Sequence, residues 1–118
     1  MYENKADMEI LNRTTNGTVF KCDSCSKIHI EYNNLNFNFS PQEYSNFIDF
    51  FKNLNEDYWE SANALSPYKR KIVVPVGPRN LTAVFNSREV KEIRVLLGIE
   101  KKRPERCASY LVSEIGVN

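Results

Sequence analysis

The chain has 118 residues, of which 42% are hydrophobic and 26% charged, and a formal net charge of +1. That is the size and mix of one domain, residues 1–118, able to bury a core without staples. Three cysteines, an odd number, speak against a disulfide framework, and no apolar run approaches the length that crosses a bilayer.

The charge is unevenly spread. Residues 1–64 carry 5 Lys/Arg against 10 Asp/Glu, whereas residues 65–106 carry 11 against 4. Such a split marks a nucleic-acid surface, a head-to-tail contact between chains, or two halves of one fold that neutralise each other. The amino terminus carries Glu3 and Asp7 where a secretory signal would be basic and then apolar. The sequence therefore reads as cytoplasmic.

Residues 1–13 show no clear period and read as a lead-in. Asn16-Gly17 signals a turn, since both residues tolerate positive φ, and Thr18-Val19-Phe20-Lys21 follows as a β-rich run. Cys22-Asp23-Ser24-Cys25 then predicts a tight reversal. Ile28-His29-Ile30-Glu31-Tyr32 has period two, which puts Ile28, Ile30 and Tyr32 toward the core and His29 and Glu31 on the other side. After a turn at Asn33-Asn34, Leu35, Phe37 and Phe39 alternate with Asn36 and Asn38 as a half-buried strand. Ser40-Pro41-Gln42-Glu43 carries a capping serine, a proline suited to the first helical position and a glutamate placed to close a capping box. Tyr44, Phe47, Ile48, Phe51 and Leu54 recur at helical spacing, predicting a helix over about 41–54.

Residues 55–68 read as irregular. Arg70–Val76 predicts a strand, with Pro75 arguing for an edge or a bulge, and Leu81–Phe85 a second one. Asn86 or Ser87 caps a helix running to about Leu97, with Glu89 placed for a box and Gly98 as its stop. A last helix is expected over about 104–115, with Cys107, Tyr110, Leu111 and Ile115 on its inner face.

The order strand, strand, helix thus occurs twice, over pseudo-repeats at about 17–54 and 69–98. Asn34, Leu35, Phe39 and Glu43 stand at the same places as Asn80, Leu81, Phe85 and Glu89. A duplication of this kind predicts an α+β fold: one antiparallel sheet of about five strands with helices on one face and approximate internal twofold symmetry.

Cys22-x-x-Cys25 is the motif with a mechanism behind it. Two thiolates at a hairpin reversal can point at one cation, as in half of a zinc ribbon, but a full site needs four ligands. The matching place in the second unit, Ser66-Pro67-Tyr68-Lys69, has no ligand-type side chain. Three readings stay open for the pair: a zinc site, plain structural thiols, and redox chemistry. Redox work favours a CxxC at a helix amino terminus, and this one lies between strands beside Asp23. His29 lies four residues beyond Cys25, roughly 13 Å along an extended strand, and is expected to be a sheet-face histidine rather than a ligand. Cys107 is expected to be a buried small residue; it becomes a third ligand if the last helix folds back over the knuckle. Two chains could also share one zinc through Cys22 and Cys25 of each.

Enzyme motifs are missing. There is a single His, and no G-x-S-x-G, P-loop, G-x-G-x-x-G or HExxH. The basic residues Lys69, Arg70, Lys71, Arg79, Lys91, Arg94, Lys101, Lys102 and Arg103 form the case for nucleic acid. Against it, the aromatics Phe37, Phe39, Phe47 and Phe51 fall on core-facing positions, and without exposed aromatics the patch would give only salt-sensitive, sequence-blind binding.

The run from Thr15 to Leu54, with Asn16-Gly17, Cys22-x-x-Cys25, Lys27-Ile28-His29, Asn34-Leu35 and Ser40-Pro41, is joined further on by Tyr68-Lys69-Arg70-Lys71-Ile72. Together these resemble a group of small uncharacterised cytosolic proteins of the Bacteroidetes, over roughly residues 15–97. The resemblance implies a compact intracellular domain with a CxxC knuckle and no assigned activity. The sequence as a whole points to a non-enzymatic interaction or regulatory domain with a structural knuckle. The alternatives are a zinc-stabilised nucleic-acid-binding protein using the basic half and a thiol redox protein.

Overall fold

Alternating apolar and polar residues on either side of Asn33-Asn34 dictate short strands reversed by a tight turn, and Asn16-Gly17 supplies another turn upstream. The computed structural model, which describes residues 8–101, has such a meander: β1 (Met8–Arg13), β2 (Gly17–Cys22), β3 (Lys27–Tyr32) and β4 (Leu35–Phe39), all antiparallel and in sequence order. Asn33 takes φ of +52° in the last turn, a conformation Asn tolerates better than most side chains. Two helices follow, α1 (Pro41–Lys52) and α2 (Glu56–Ala62), then a hairpin of β5 (Ile72–Pro75) and β6 (Thr82–Phe85), then α3 (Ser87–Leu96). Among the described residues no helix is long and apolar enough to cross a membrane.

Both long helices start as their sequences dictate. The Ser40 hydroxyl accepts from the Glu43 amide at 3.2 Å, and the Glu43 carboxylate accepts from the Ser40 amide at 2.9 Å. At α3 the Asn86 side chain and Glu89 make the same reciprocal pair, at 2.8 and 2.9 Å. Gly98, with φ of +80°, ends α3 in the left-handed conformation that glycine adopts without cost from a Cβ.

One core lies beneath the meander. Val19, Ile30 and Tyr32 on one face of the sheet meet Phe47 and Phe51 of α1, Val90, Ile93 and Leu96 of α3, and Ile72, Val74, Ala83 and Phe85 of the hairpin. The side chains of Phe37, Phe39, Phe47 and Phe51 run on as a chain of rings 4.9–5.6 Å apart. Burying Phe51 completely contributes about 2–3 kcal/mol of transfer free energy. Gly17 lets β2 and α3 close up: a Cβ there would meet the Leu96 Cδ2 at 2.7 Å and the Glu31 carbonyl at 2.9 Å.

Three expectations change. Residues 8–13 are a strand, not a lead-in; its register slips between Ile10 and Asn12, and this bulge at Leu11 erases the alternation that reveals strands. Residues 56–62 form a helix capped by Asn55, too short to display a helical period. The strands divide into a sheet of four and a hairpin of two instead of joining in one sheet of about five. β5 is only four residues long and ends at Pro75, which has no amide hydrogen to extend a ladder. The expected last helix, about 104–115, lies outside the described residues.

Candidate metal centre

The β2–β3 reversal holds the sulfur atoms. Cys22 ends β2 opposite Lys27, and the Ser26 amide donates to the Cys22 carbonyl at 3.0 Å. Ser26 has φ of +57°, which swings the loop back over the sheet. Cys25 is thereby carried above the sheet face that the core does not use. On that face Phe20 pairs with His29, and His29 with Asn38, so one row of three strands presents ring, ring and amide.

The three donors converge. The Cys22 Sγ, the Cys25 Sγ and a ring nitrogen of His29 lie within 4.8 Å of one another, with Cys25 Sγ 3.7 Å from His29 Nε2. Two donors on one tetrahedral zinc, with Zn–S about 2.3 Å and Zn–N about 2.0 Å, sit roughly 3.5–3.8 Å apart. The thiol–imidazole pair already has that spacing, and the whole set needs to close by only about 1 Å. Thiolate and imidazole donors together suit zinc far better than magnesium or calcium.

The ring of His29 is fixed on two sides. It stacks on Phe20 at 4.9 Å between centroids, and its Nδ1 hydrogen-bonds the Asn38 Oδ1. A carbonyl oxygen only accepts, so Nδ1 carries the hydrogen and Nε2 turns its lone pair toward the sulfurs. Cys22 hydrogen-bonds the Ser24 hydroxyl at 3.3 Å. Hydrogen bonds from Cys25, and then from Ser24, hold the Cys22 thiol below its ordinary value, while the same bond to Cys22 pushes Cys25 up. Neither thiol is in a disulfide. A cleft of about 420 Å³ lined in part by Met8, Phe20 and Asn36 opens over the donors.

His29 is thus both the sheet-face residue the alternation predicts and a neighbour of the thiols. Contour length misleads here, because the four residues from Cys25 to His29 include the reversal. The useful signal is cross-strand: with Cys22 opposite Lys27, residue 29 is the same-face diagonal neighbour of residue 22. Cys107 lies outside the described residues, as do Lys102 and Arg103.

Several basic residues of the second half serve the fold. Arg70 makes a two-pronged ion pair with Glu89 at 2.7 and 2.8 Å, and Lys71 donates to the Ser66 carbonyl at 2.9 Å. Arg94 turns inward to the carbonyls of Phe51 and Leu54 and to Glu56. Lys69, Arg79 and Lys101 remain exposed.

The fold and this cluster define a class: an α+β domain with a Cys-Cys-His knuckle on the open face of its larger sheet. The chain belongs to DUF6686, a family of unknown function whose model matches residues 4–116. No curated protein and no solved structure is a significant match to it.

Proposed function

We propose that this is a small, non-enzymatic cytoplasmic interaction or regulatory domain whose Cys22, Cys25 and His29 hold a structural zinc ion. The convergence of their donor atoms within 4.8 Å carries the reading. Asn38 and Phe20 support it by holding the imidazole with its free nitrogen toward the sulfurs. Zinc would pin the β2–β3 hairpin at its turn. We also read the two hairpin–helix segments as one duplicated unit, on the strength of their matching capping boxes.

Elemental analysis of protein purified under reducing conditions without chelator tests the site. One zinc per chain is expected, with loss in Cys22→Ser and in His29→Ala. Half a zinc per chain would instead mean a bridge between two chains, and wild-type protein free of zinc would overturn the reading.

A second reading, binding to single-stranded nucleic acid, has one observation in its favour. Tyr68, 54% exposed, stands beside exposed Lys69, so an aromatic face and a cation are presented together. Retention on heparin at low salt, weakened in the Tyr68→Ala, Lys69→Ala double variant, is the expected result on that reading. Unchanged passage through the column would remove it.

A further inference from the structure

We propose that the cleft between α1 and α2 binds a small quaternary ammonium compound, held by the rings of Phe50, Tyr58 and Trp59 and by the Asp49 carboxylate. No residue of the knuckle lines this cleft, so its use is independent of the zinc reading above.

The walls are aromatic. The cleft, of about 560 Å³, is lined in part by Phe50, Leu54, Tyr58 and Trp59. Tyr58 and Trp59 are consecutive in α2 and stand nearly perpendicular, with 81° between their planes and 5.5 Å between centroids. Two perpendicular rings form a corner that presents a face of each, and the negative face of an aromatic ring attracts a cation. Phe50 and Trp59 are half-buried against the core, and Phe50 meets Phe51 edge to face at 5.8 Å. Tyr58 is instead 60% exposed, a large ring left in solvent.

The walls are also held in place before any ligand arrives. Arg94 of α3 donates to the carbonyls of Phe51 at 3.0 Å and Leu54 at 2.7 Å, and pairs with Glu56 at 3.0 Å. One side chain thus fixes the end of α1, the link and the start of α2. The Asn53 amide donates to the Asp49 carbonyl at 2.8 Å, and Asn55 accepts from the Tyr58 amide at 3.1 Å. Little ordering is left to be done on binding.

The charge selects a cation. Among the described residues that line the cleft, Asp49 carries the single charge; it is exposed and makes no ion pair with another described residue. Residues 41–62 add Glu43, Glu56, Asp57 and Glu60 against one base, Lys52, so the surround stays negative even with Glu56 matched by Arg94. A primary ammonium brings three N–H donors that rings and Leu54 leave unsatisfied, whereas a quaternary ammonium brings none. The volume takes a whole small compound rather than the tip of one side chain.

Trp59 is the chain's one tryptophan, so its emission reports this cleft in the wild-type protein. Choline chloride should change that emission saturably, with half-saturation at about 1 mM or below, while sodium chloride at equal ionic strength does not. Its uncharged isostere, 3,3-dimethylbutanol, should bind at least about tenfold more weakly. Tyr58→Leu and Asp49→Asn, both at exposed positions, should each weaken choline binding about three- to tenfold and leave the urea midpoint unchanged. Equal binding of choline and the isostere, or no saturation below about 50 mM, overturns the proposal. A neutral sugar that binds where choline does not overturns it too. A trimethyllysine peptide that binds more than about tenfold tighter than choline would overturn the assignment to a small compound.

Discussion

Helices α1 and α3 begin with the same reciprocal cap and are then docked by different forces. α1 lays Phe47 and Phe51 against Phe37, Phe39 and Phe85, a contact of rings with no preferred partner atom. α3 also buries Val90, Ile93 and Leu96, but it is positioned by polar anchors. Glu92 accepts from the Thr14 hydroxyl at 2.7 Å, from the Asn16 backbone and side-chain amides at 2.8 and 2.9 Å, and from the Tyr32 hydroxyl at 3.1 Å. Asn12 caps the far end through the carbonyls of Val95 and Leu96. The difference teaches that equal starts do not imply equal attachment: α1 is held by burial and by the permanently charged Arg94, which are insensitive to pH, whereas α3 adds bonds to a carboxylate, which are not.

The electrostatics follow from that. Burial works to raise the Glu92 carboxyl, but the bonds from Asn16, Thr14 and Tyr32 outweigh it, and the net shift is downward from the ordinary 4.5. Glu89 is also lowered, first by its bond to Arg70. Burial, then the neighbouring Glu92 charge, pushes the Tyr32 hydroxyl up, so it stays a donor at neutral pH. A carboxyl lowered in the folded state contributes stability that is complete above its unfolded value and disappears as pH falls through the folded one. The anchoring of α3 should therefore weaken below about pH 4.5.

The largest expected effect breaks the α1 side. Phe51→Ala removes a fully buried ring and should cost about 3–5 kcal/mol in urea unfolding, equally at pH 7 and below pH 4.5. On the α3 side, Glu92→Gln should cost about 2 kcal/mol at pH 7, and the gap to wild type should narrow as pH is taken below 4.5. A gap that stays constant with pH would show that the charge is not what anchors α3. The caps should sharpen the likeness: Ser40→Ala and Asn86→Ala are each expected to lose about 1 kcal/mol, and the double variant to lose their sum. The smallest effect belongs to Arg70→Ala at the exposed ion pair, a slight loss of stability in low salt that shrinks further in high salt.

Local signals were legible in the sequence. Ser40-Pro41-Gln42-Glu43 and Asn86–Glu89 mark both helix starts, and the alternation of Ile28 to Tyr32 and Leu35 to Phe39 marks β3 and β4. What stayed hidden is non-local or aperiodic. The bulge at Leu11 conceals β1, and seven residues conceal α2. Asn12 and Glu92 carry no signal in the sequence, and Arg94 reads there as one of the basic residues of a nucleic-acid surface, because hydrogen bonds across 40 to 84 positions leave no trace in spacing. Two of the three donors of the candidate centre were readable as CxxC; the place of His29 depends on which residue Cys22 faces across the hairpin.

The bonds from Asn12 to the carbonyls of Val95 and Leu96 join positions 83 and 84 residues apart. On the ribosome, where synthesis runs at roughly 5–20 residues per second, the partner of the first described strand is made about 4–17 s after it. For the later part of that interval the meander and α1 have been made but not the helix that packs against Asn12. The nascent chain should therefore stay open to chaperones and proteases along β1 until α3 emerges, which makes arrival of the carboxyl-terminal third the committing event in the protein's synthesis.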